Sequence, residues 1–161
     1  MSTDDFTLPP FPLEGNTQRI FADLPSVAEW EPTGLTRECY LDLAERIVRH
    51  AVPWQRSDGV VISPVVGRET STTTARFVGA LGGCIWGGRC LELVENCALG
   101  MDYCCEVMAG LRRPEEIFTG PEFYTKELMY GYLALKDRVD TARHRRWGEL
   151  LASFDPWARY P

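Results

Sequence analysis

The chain has 161 residues, enough to bury a core within one domain, and its 45% apolar content excludes wholesale disorder. A formal charge of -6 with a pI near 5.0 excludes the basic face that a nucleic-acid partner requires. No apolar run approaches the roughly 18 residues of a membrane span, and the acidic start Met1-Ser2-Thr3-Asp4-Asp5 lacks the basic and apolar regions of a signal peptide. No membrane association is therefore expected, and the expected location is cytoplasmic.

Residues 1–34 read as a loosely structured, Pro-rich N-terminal segment. Leu8-Pro9-Pro10-Phe11-Pro12-Leu13 favours extended backbone, because each proline fixes φ and removes an amide donor, and Pro25 and Pro32 interrupt any helix that starts. Phe21, Leu24, Val27 and Trp30 supply apolar material that could dock on the rest of the chain. The segment is also acidic, with Asp4, Asp5, Glu14, Asp23, Glu29 and Glu31 against Arg19 alone.

Residues 35–161 read as a helical-hairpin domain. The first helix is predicted over Thr36 to about Ala51, with Thr36 as N-cap, a buried face of Leu41, Ala44, Ile47, Val48 and Ala51, and Pro53 as its stop. Asp58-Gly59 marks a tight turn, and Val60 to Val66 reads as an irregular loop or small hairpin, the one β-like element. A second helix is predicted from Ser71 or Thr72, burying Phe77, Ala80, Leu81, Cys84 and Ile85. Gly79, Gly82 and Gly83 each cost it about 1 kcal/mol relative to Ala, a cost tolerated where another helix comes close, and Gly87-Gly88 ends it.

The third helix is predicted from about Cys90 to Met108 on the seam Val94, Cys97, Met101, Cys104 and Met108, with Gly110 as its stop. The fourth runs from Pro121 or Glu122 to Arg138, with Tyr124, Leu128, Tyr132, Leu135 and Val139 on one side. Asp140 caps the fifth, Thr141 to Phe154, which turns Trp147, Leu150, Leu151 and Phe154 inward. Arg143, Arg145 and Arg146 around His144 read as a solvated helix surface. The fold class expected is mainly α, built from antiparallel helix hairpins.

The six cysteines form no Cys-x-x-Cys pair, and Cys90, Cys97 and Cys104 recur every seventh position, which places them on one helical stripe. Buried thiols are expected, with no metal. No Gly-x-Gly-x-x-Gly or P-loop is present, so no nucleotide and no other cofactor is expected.

Candidate binding residues gather where loops become helices. Arg68 and Glu69 precede the second helix, whose free amides suit hydroxyls or carboxylates of a ligand; a salt bridge with a cap is the plain alternative. Trp86 and Arg89 lie at the glycine-rich end of the same helix, where Trp86 either stacks on a sugar ring or fills a packing gap. Glu122, Tyr124 and Lys126, with Glu127, open the fourth helix; a tyrosine and carboxylates near a basic residue can contact a substrate, and the same residue types are ordinary first-turn chemistry. No residue is assigned a catalytic role, and neither His50 nor His144 has the neighbours of a nucleophilic triad.

The stretch Asp58-Gly-Val-Val-Ile-Ser-Pro-Val-Val-Gly-Arg-Glu69, followed by Thr74-Ala-Arg-Phe77, resembles the opening of (α/α) toroid enzymes that degrade glycans, the heparinase II/III-like lyases and related glycoside hydrolases. Pro121-Glu-Phe-Tyr-Thr-Lys-Glu-Leu128 and Arg146-Trp-Gly-Glu-Leu-Leu151 before Phe154-Asp-Pro156 look like the next hairpin of that scaffold. The resemblance covers roughly Tyr40 to Pro161. It implies the truncated N-terminal part of a polysaccharide lyase or glycoside hydrolase: a partial toroid whose cleft takes a polysaccharide or a uronic-acid-containing glycan, incomplete for catalysis. A non-catalytic helical interaction module, with self-association through helix faces that a cut toroid leaves exposed, is the alternative from a different class.

Overall fold

The computed structural model describes residues 34–70, 72–113 and 121–155, and for 121–123 the helical backbone alone. The Pro-rich segment and its apolar residues Phe21, Leu24, Val27 and Trp30 lie outside the described residues. Contacts divide the chain after Leu35, and every helix described below belongs to the unit Thr36–Pro161.

The fold is mainly α. Among the described residues five α-helices follow one another: α1 Arg37–Ala51, α2 Thr73–Trp86, α3 Val94–Met108, α4 Pro121–Leu135 and α5 Thr141–Ala152. Two are opened by the caps the sequence advertises. The Thr36 side chain accepts from Cys39 N, and Asp140 Oδ1 accepts from Ala142 N and Arg143 N at 2.8 and 3.2 Å, so amides with no partner inside their helix are satisfied. Other ends fall short of expectation. Cys90 has φ 54°, a left-handed conformation that cannot join a helix, so a 3-10 turn, Leu91–Leu93, precedes α3. The fourth helix stops at Leu135 instead of Arg138, and the fifth at Ala152 instead of Phe154.

The β-like element is present, and it lies earlier than Val60 to Val66. Trp54 O accepts from Ile62 N at 2.9 Å, Val60 O accepts from Arg56 N at 2.8 Å, and Gln55 bridges Val61 in antiparallel sense. Asp58-Gly59 is the tip of this turn and not its preface, which moves the pairing towards the N-terminus. Gly59 has φ 87°, and a Cβ there would sit 2.1 Å from Leu99 O, so no side chain fits. Gln55 then fastens the turn to α3, donating to Asn96 O at 2.8 Å and accepting from Asn96 Nδ2 at 2.8 Å. No strand is formed among the described residues.

Helix α2 lies at the centre, touching α1, α3 and α4, while α5 packs on α3 and α4. Its contact with α4 is the most extensive. A Cβ built on Gly79 meets Glu127, and one on Gly82 meets Tyr130 C and Gly131 N at 2.8 and 2.7 Å. Residue numbers rise together along this seam, so α2 and α4 run parallel with their backbones almost touching. The glycine cost read from the sequence is offset here by helix–helix approach. The core contains Val78, Leu81, Ile85, Met101, Tyr103, Leu128, Leu135 and Trp147.

Ile47, expected in the buried face of the first helix, is 57% exposed. The face that meets α2 is Leu41, Ala44, Val48 and Ala51, and Ile47 lies beyond its edge. The expected solvated surface around His144 is partly buried too. Arg143 reaches both oxygens of Asp102 and of Glu95, Trp147 Nε1 donates to Asp102 at 2.6 Å, and His144 stacks on Tyr132 with ring centroids 4.1 Å apart. Arg143 is drawn in because its acidic partners stand on α3, 41 and 48 positions away in sequence, while Arg145 and Arg146 stay exposed as expected. Among the described residues, no helix is long and apolar enough to cross a membrane.

Candidate functional site

The two residues that precede α2 part company. Arg68 is exposed, whereas Glu69 is fully buried. Glu69 Oε1 accepts from Thr74 Oγ1 at 2.5 Å, its Oε2 accepts from the Tyr103 hydroxyl, and Thr74 Oγ1 in turn accepts from Val61 N at 3.0 Å. One carboxyl therefore joins the β-like turn, the first turn of α2 and the middle of α3. Burial, then the bond to Glu69, push the Tyr103 phenol well above its usual range. Arg112 lies over the Tyr103 ring at 4.5 Å and also donates to Asp58 at 2.5 Å. Asp58, bonded first by Arg56 and also by Arg112, is held down to about 2.

Arg89 is a clamp between elements. Its guanidinium meets Glu38, Asp42 and Glu45 of α1 at 2.8, 2.5 and 3.0 Å. Trp86, three residues earlier, is 58% exposed. At the start of α4, Tyr124 is buried and Lys126 is exposed, paired with Glu127 at 3.2 Å; the Glu122 side chain lies outside the described residues. The six candidate residues whose side chains are described thus have different environments: buried in Glu69 and Tyr124, ion-paired in Arg89 and Lys126, and exposed in Arg68 and Trp86.

Five cysteines are buried, and Cys39 alone is exposed. Burial raises the thiols of Cys97 to about 12 and Cys84 to about 11, while the Thr36 hydroxyl, donating to Sγ, lowers Cys39. Among the described residues no group of three or more His, Cys, Asp and Glu is arranged around a metal position.

Sequence reasoning missed a concave feature between three of the helices. A groove of about 700 Å³ opens between α1, α2 and α4. Its floor is the α2 stripe Arg76, Gly79, Ala80 and Gly83, and its walls include Tyr40 and Leu41 of α1 and Tyr130 of α4. A separate pocket of about 250 Å³, with Arg76 and Ala80 also in its lining, lies along the α1–α2 seam beside Phe77, Trp54 and Val61. The signal was legible: Arg76, Gly79, Ala80 and Gly83 stand at helical spacing, a face of α2 too small to fill the space above it. The volume is that of an ordinary ligand pocket, and the lining is mostly apolar with a few polar groups at its margin.

No family model matches the chain, and neither a curated protein nor a solved structure matches it.

Proposed function

We propose that this chain is a non-catalytic helical binding module, and that the groove between α1, α2 and α4 holds its ligand. The observation that carries the reading is the apolar groove itself. Tyr40 and Tyr130, on its two walls, are 55% and 46% exposed. Exposed aromatic residues around a concave apolar surface are the usual ingredients of a binding site. Gly83 offers a clean test, since a Cβ built there meets nothing within 4 Å and its face of α2 opens into the groove. An uncharged, environment-sensitive dye should bind the full chain saturably with a blue-shifted emission. Gly83→Leu should expel it while leaving the fold intact; equal dye binding by both proteins refutes the reading.

The exposure of Trp86 favours a second reading, in which these helices are hairpins of a partial (α/α) toroid and belong to a polysaccharide lyase or glycoside hydrolase. A solvent-facing indole at a helix end can stack on a sugar ring. In that reading Arg68, Glu122 and Trp86 contact a uronic-acid oligosaccharide, and Arg68→Ala, Glu122→Ala and Trp86→Ala should each weaken its binding by about tenfold. Unchanged titrations for all three would dispose of it.

A further inference from the structure

Helix α1 is held by different forces at its two ends. Its first buried residue is Val48, which with Ala51 anchors the C-terminal end in the core. From Arg37 to Ile47 every side chain is exposed or half-buried. The apolar ties of that stretch include Ala44 and Leu41, whose Cδ2 stands 2.8 Å from where a Cβ on Gly87 would lie. Charge supplies the rest. Arg89, in the connection from α2 to α3, meets Glu38, Asp42 and Glu45 at 2.8, 2.5 and 3.0 Å, and Arg49 reaches Glu92 at 2.5 Å. The backbone fixes where Arg89 stands: Gly88 has φ 81° and Arg89 N donates to Cys84 O at 2.9 Å, the bonding that closes a helix C-terminus and turns the chain aside.

We propose that the N-terminal half of α1 is a hinged cover over Cys84 and Cys90, latched by Arg89 and pivoting on the anchor at Val48 and Ala51. Arg37, Tyr40, Leu41 and Ala44 of this half line the groove, as does Cys84, so on that side the helix borders open space and not a packed layer. Cys84 and Cys90 are buried, and their thiols hydrogen-bond to each other. The charges around them belong to the latch: Glu45 and Arg89 act on Cys84, and Arg49, Glu45 and Glu92 on Cys90. Ion pairs between partly exposed side chains are individually weak and are screened by salt, whereas buried apolar contact is not. The latched end therefore opens before the anchored one. Glu38, Asp42 and Glu45 also stand within two turns on one side of α1, so without Arg89 they repel one another and favour release. Opening forfeits the ion cluster and a little apolar contact while the α3 seam stays intact, which makes it easier than global unfolding. The width of the groove is then governed by charge.

The experiment exposes the full chain to pulses of a maleimide and reads each cysteine by mass spectrometry, with peptide-resolved hydrogen exchange alongside. Cys39, exposed throughout, is the internal reference. Raising sodium chloride from about 0.05 to about 1 M should speed labelling of Cys84 about fivefold in the parent. Arg89→Gln should speed it about tenfold at low salt and remove most of the salt response. Cys97 and Cys104 should stay protected in every case, and amides of residues 41–47 should lose protection before those of 97–108. Should Arg89→Gln fail to fold, Glu38→Gln combined with Asp42→Asn cuts two of the same ties at side chains that are both 62% exposed, and supplies the readout. Equal acceleration at Cys84, Cys97 and Cys104 would mean that Arg89 supports the whole fold, and overturns the hinge. Labelling of Cys84 that ignores both salt and Arg89 overturns it as well. The protein alone is measured, so either failure leaves the binding reading to be decided by the dye and Gly83→Leu.

Discussion

Two adjacent glycines of α2 should respond to the same substitution with opposite signs. Placing alanine at either position removes the same backbone freedom and contributes about 1 kcal/mol of helix propensity. At Gly83 nothing stands within 4 Å of the added methyl, so the gain should survive as about 0.5–1 kcal/mol of stability. At Gly82 the methyl would lie 2.7, 2.8 and 2.9 Å from Gly131 N, Tyr130 C and Gly131 Cα. All three atoms are backbone of α4, so no side chain can rotate away and the helix axes must separate. Overpacking of this kind costs about 3 kcal/mol, which leaves Gly82→Ala less stable than the parent by about 2 kcal/mol. The two variants should then differ by roughly 2.5–3 kcal/mol, or about 8–10 °C in melting temperature for a domain of this size. Urea denaturation followed by far-UV circular dichroism, with the slope of each transition checked for constancy, measures the difference directly. A Gly82→Ala protein as stable as the parent would refute the parallel, backbone-close packing of α2 on α4.

Three other outcomes are expected. Tyr103→Phe removes a donor from the buried Glu69 carboxyl and should cost about 1–3 kcal/mol in the same denaturation assay; a neutral result would mean that the bond does not persist in solution. A thiol reagent at neutral pH should label one cysteine rapidly in the native protein, Cys39, and all six only after unfolding, as read by mass spectrometry; rapid native labelling at Cys97 or Cys104 would contradict their burial. Asp58 ionises at about 2 in the fold against an ordinary 3.8, so its contribution is present above the ordinary value and is lost as pH falls towards about 2. Because its side chain is 37% exposed, solvent screening limits that contribution to about 1 kcal/mol. Asp58→Asn should accordingly be less stable than the parent near neutrality and converge with it at low pH, and a constant difference at every pH would refute the assignment.

Local chemistry made most of the helices readable. Thr36 and Asp140 declare their ends because a cap bonds within three residues, and the seam Cys97, Met101, Cys104 and Met108 of α3 is buried throughout. What escaped depends on partners distant in sequence. Glu69 looks like an exposed residue at a helix mouth until Tyr103, 34 positions later, closes over it. Arg89 looks available until three carboxylates of α1 reach it, and Arg143 looks solvated until Asp102 and Glu95 arrive from α3. Charge pairing across elements cannot be inferred from a run of charges. The groove escaped for the opposite reason: the small residues of α2 do recur at helical spacing, and from sequence that spacing reads as close helix packing at every glycine alike. In α2 the glycines that admit α4 and the glycine that opens the groove are consecutive, Gly82 and Gly83, and only the neighbouring helices tell them apart.

The α2–α4 seam also has a kinetic consequence. Gly82 and Gly131 are 49 positions apart in the chain, and Met101 of α3 lies against Gly131 with its sulfur 2.8 Å from where a Cβ would stand. Helix α4 packs on both α2 and α3 through contacts distant in sequence, so the seam is expected to close after the more local α2–α3 pairing. Contacts made after the rate-limiting barrier govern how fast a protein is lost and hardly how fast it is gained. Alterations at Gly82 and Gly131 should therefore steepen the unfolding rate while leaving refolding nearly untouched, so that the lifetime of the native molecule is set where two helices meet with no side chains between them.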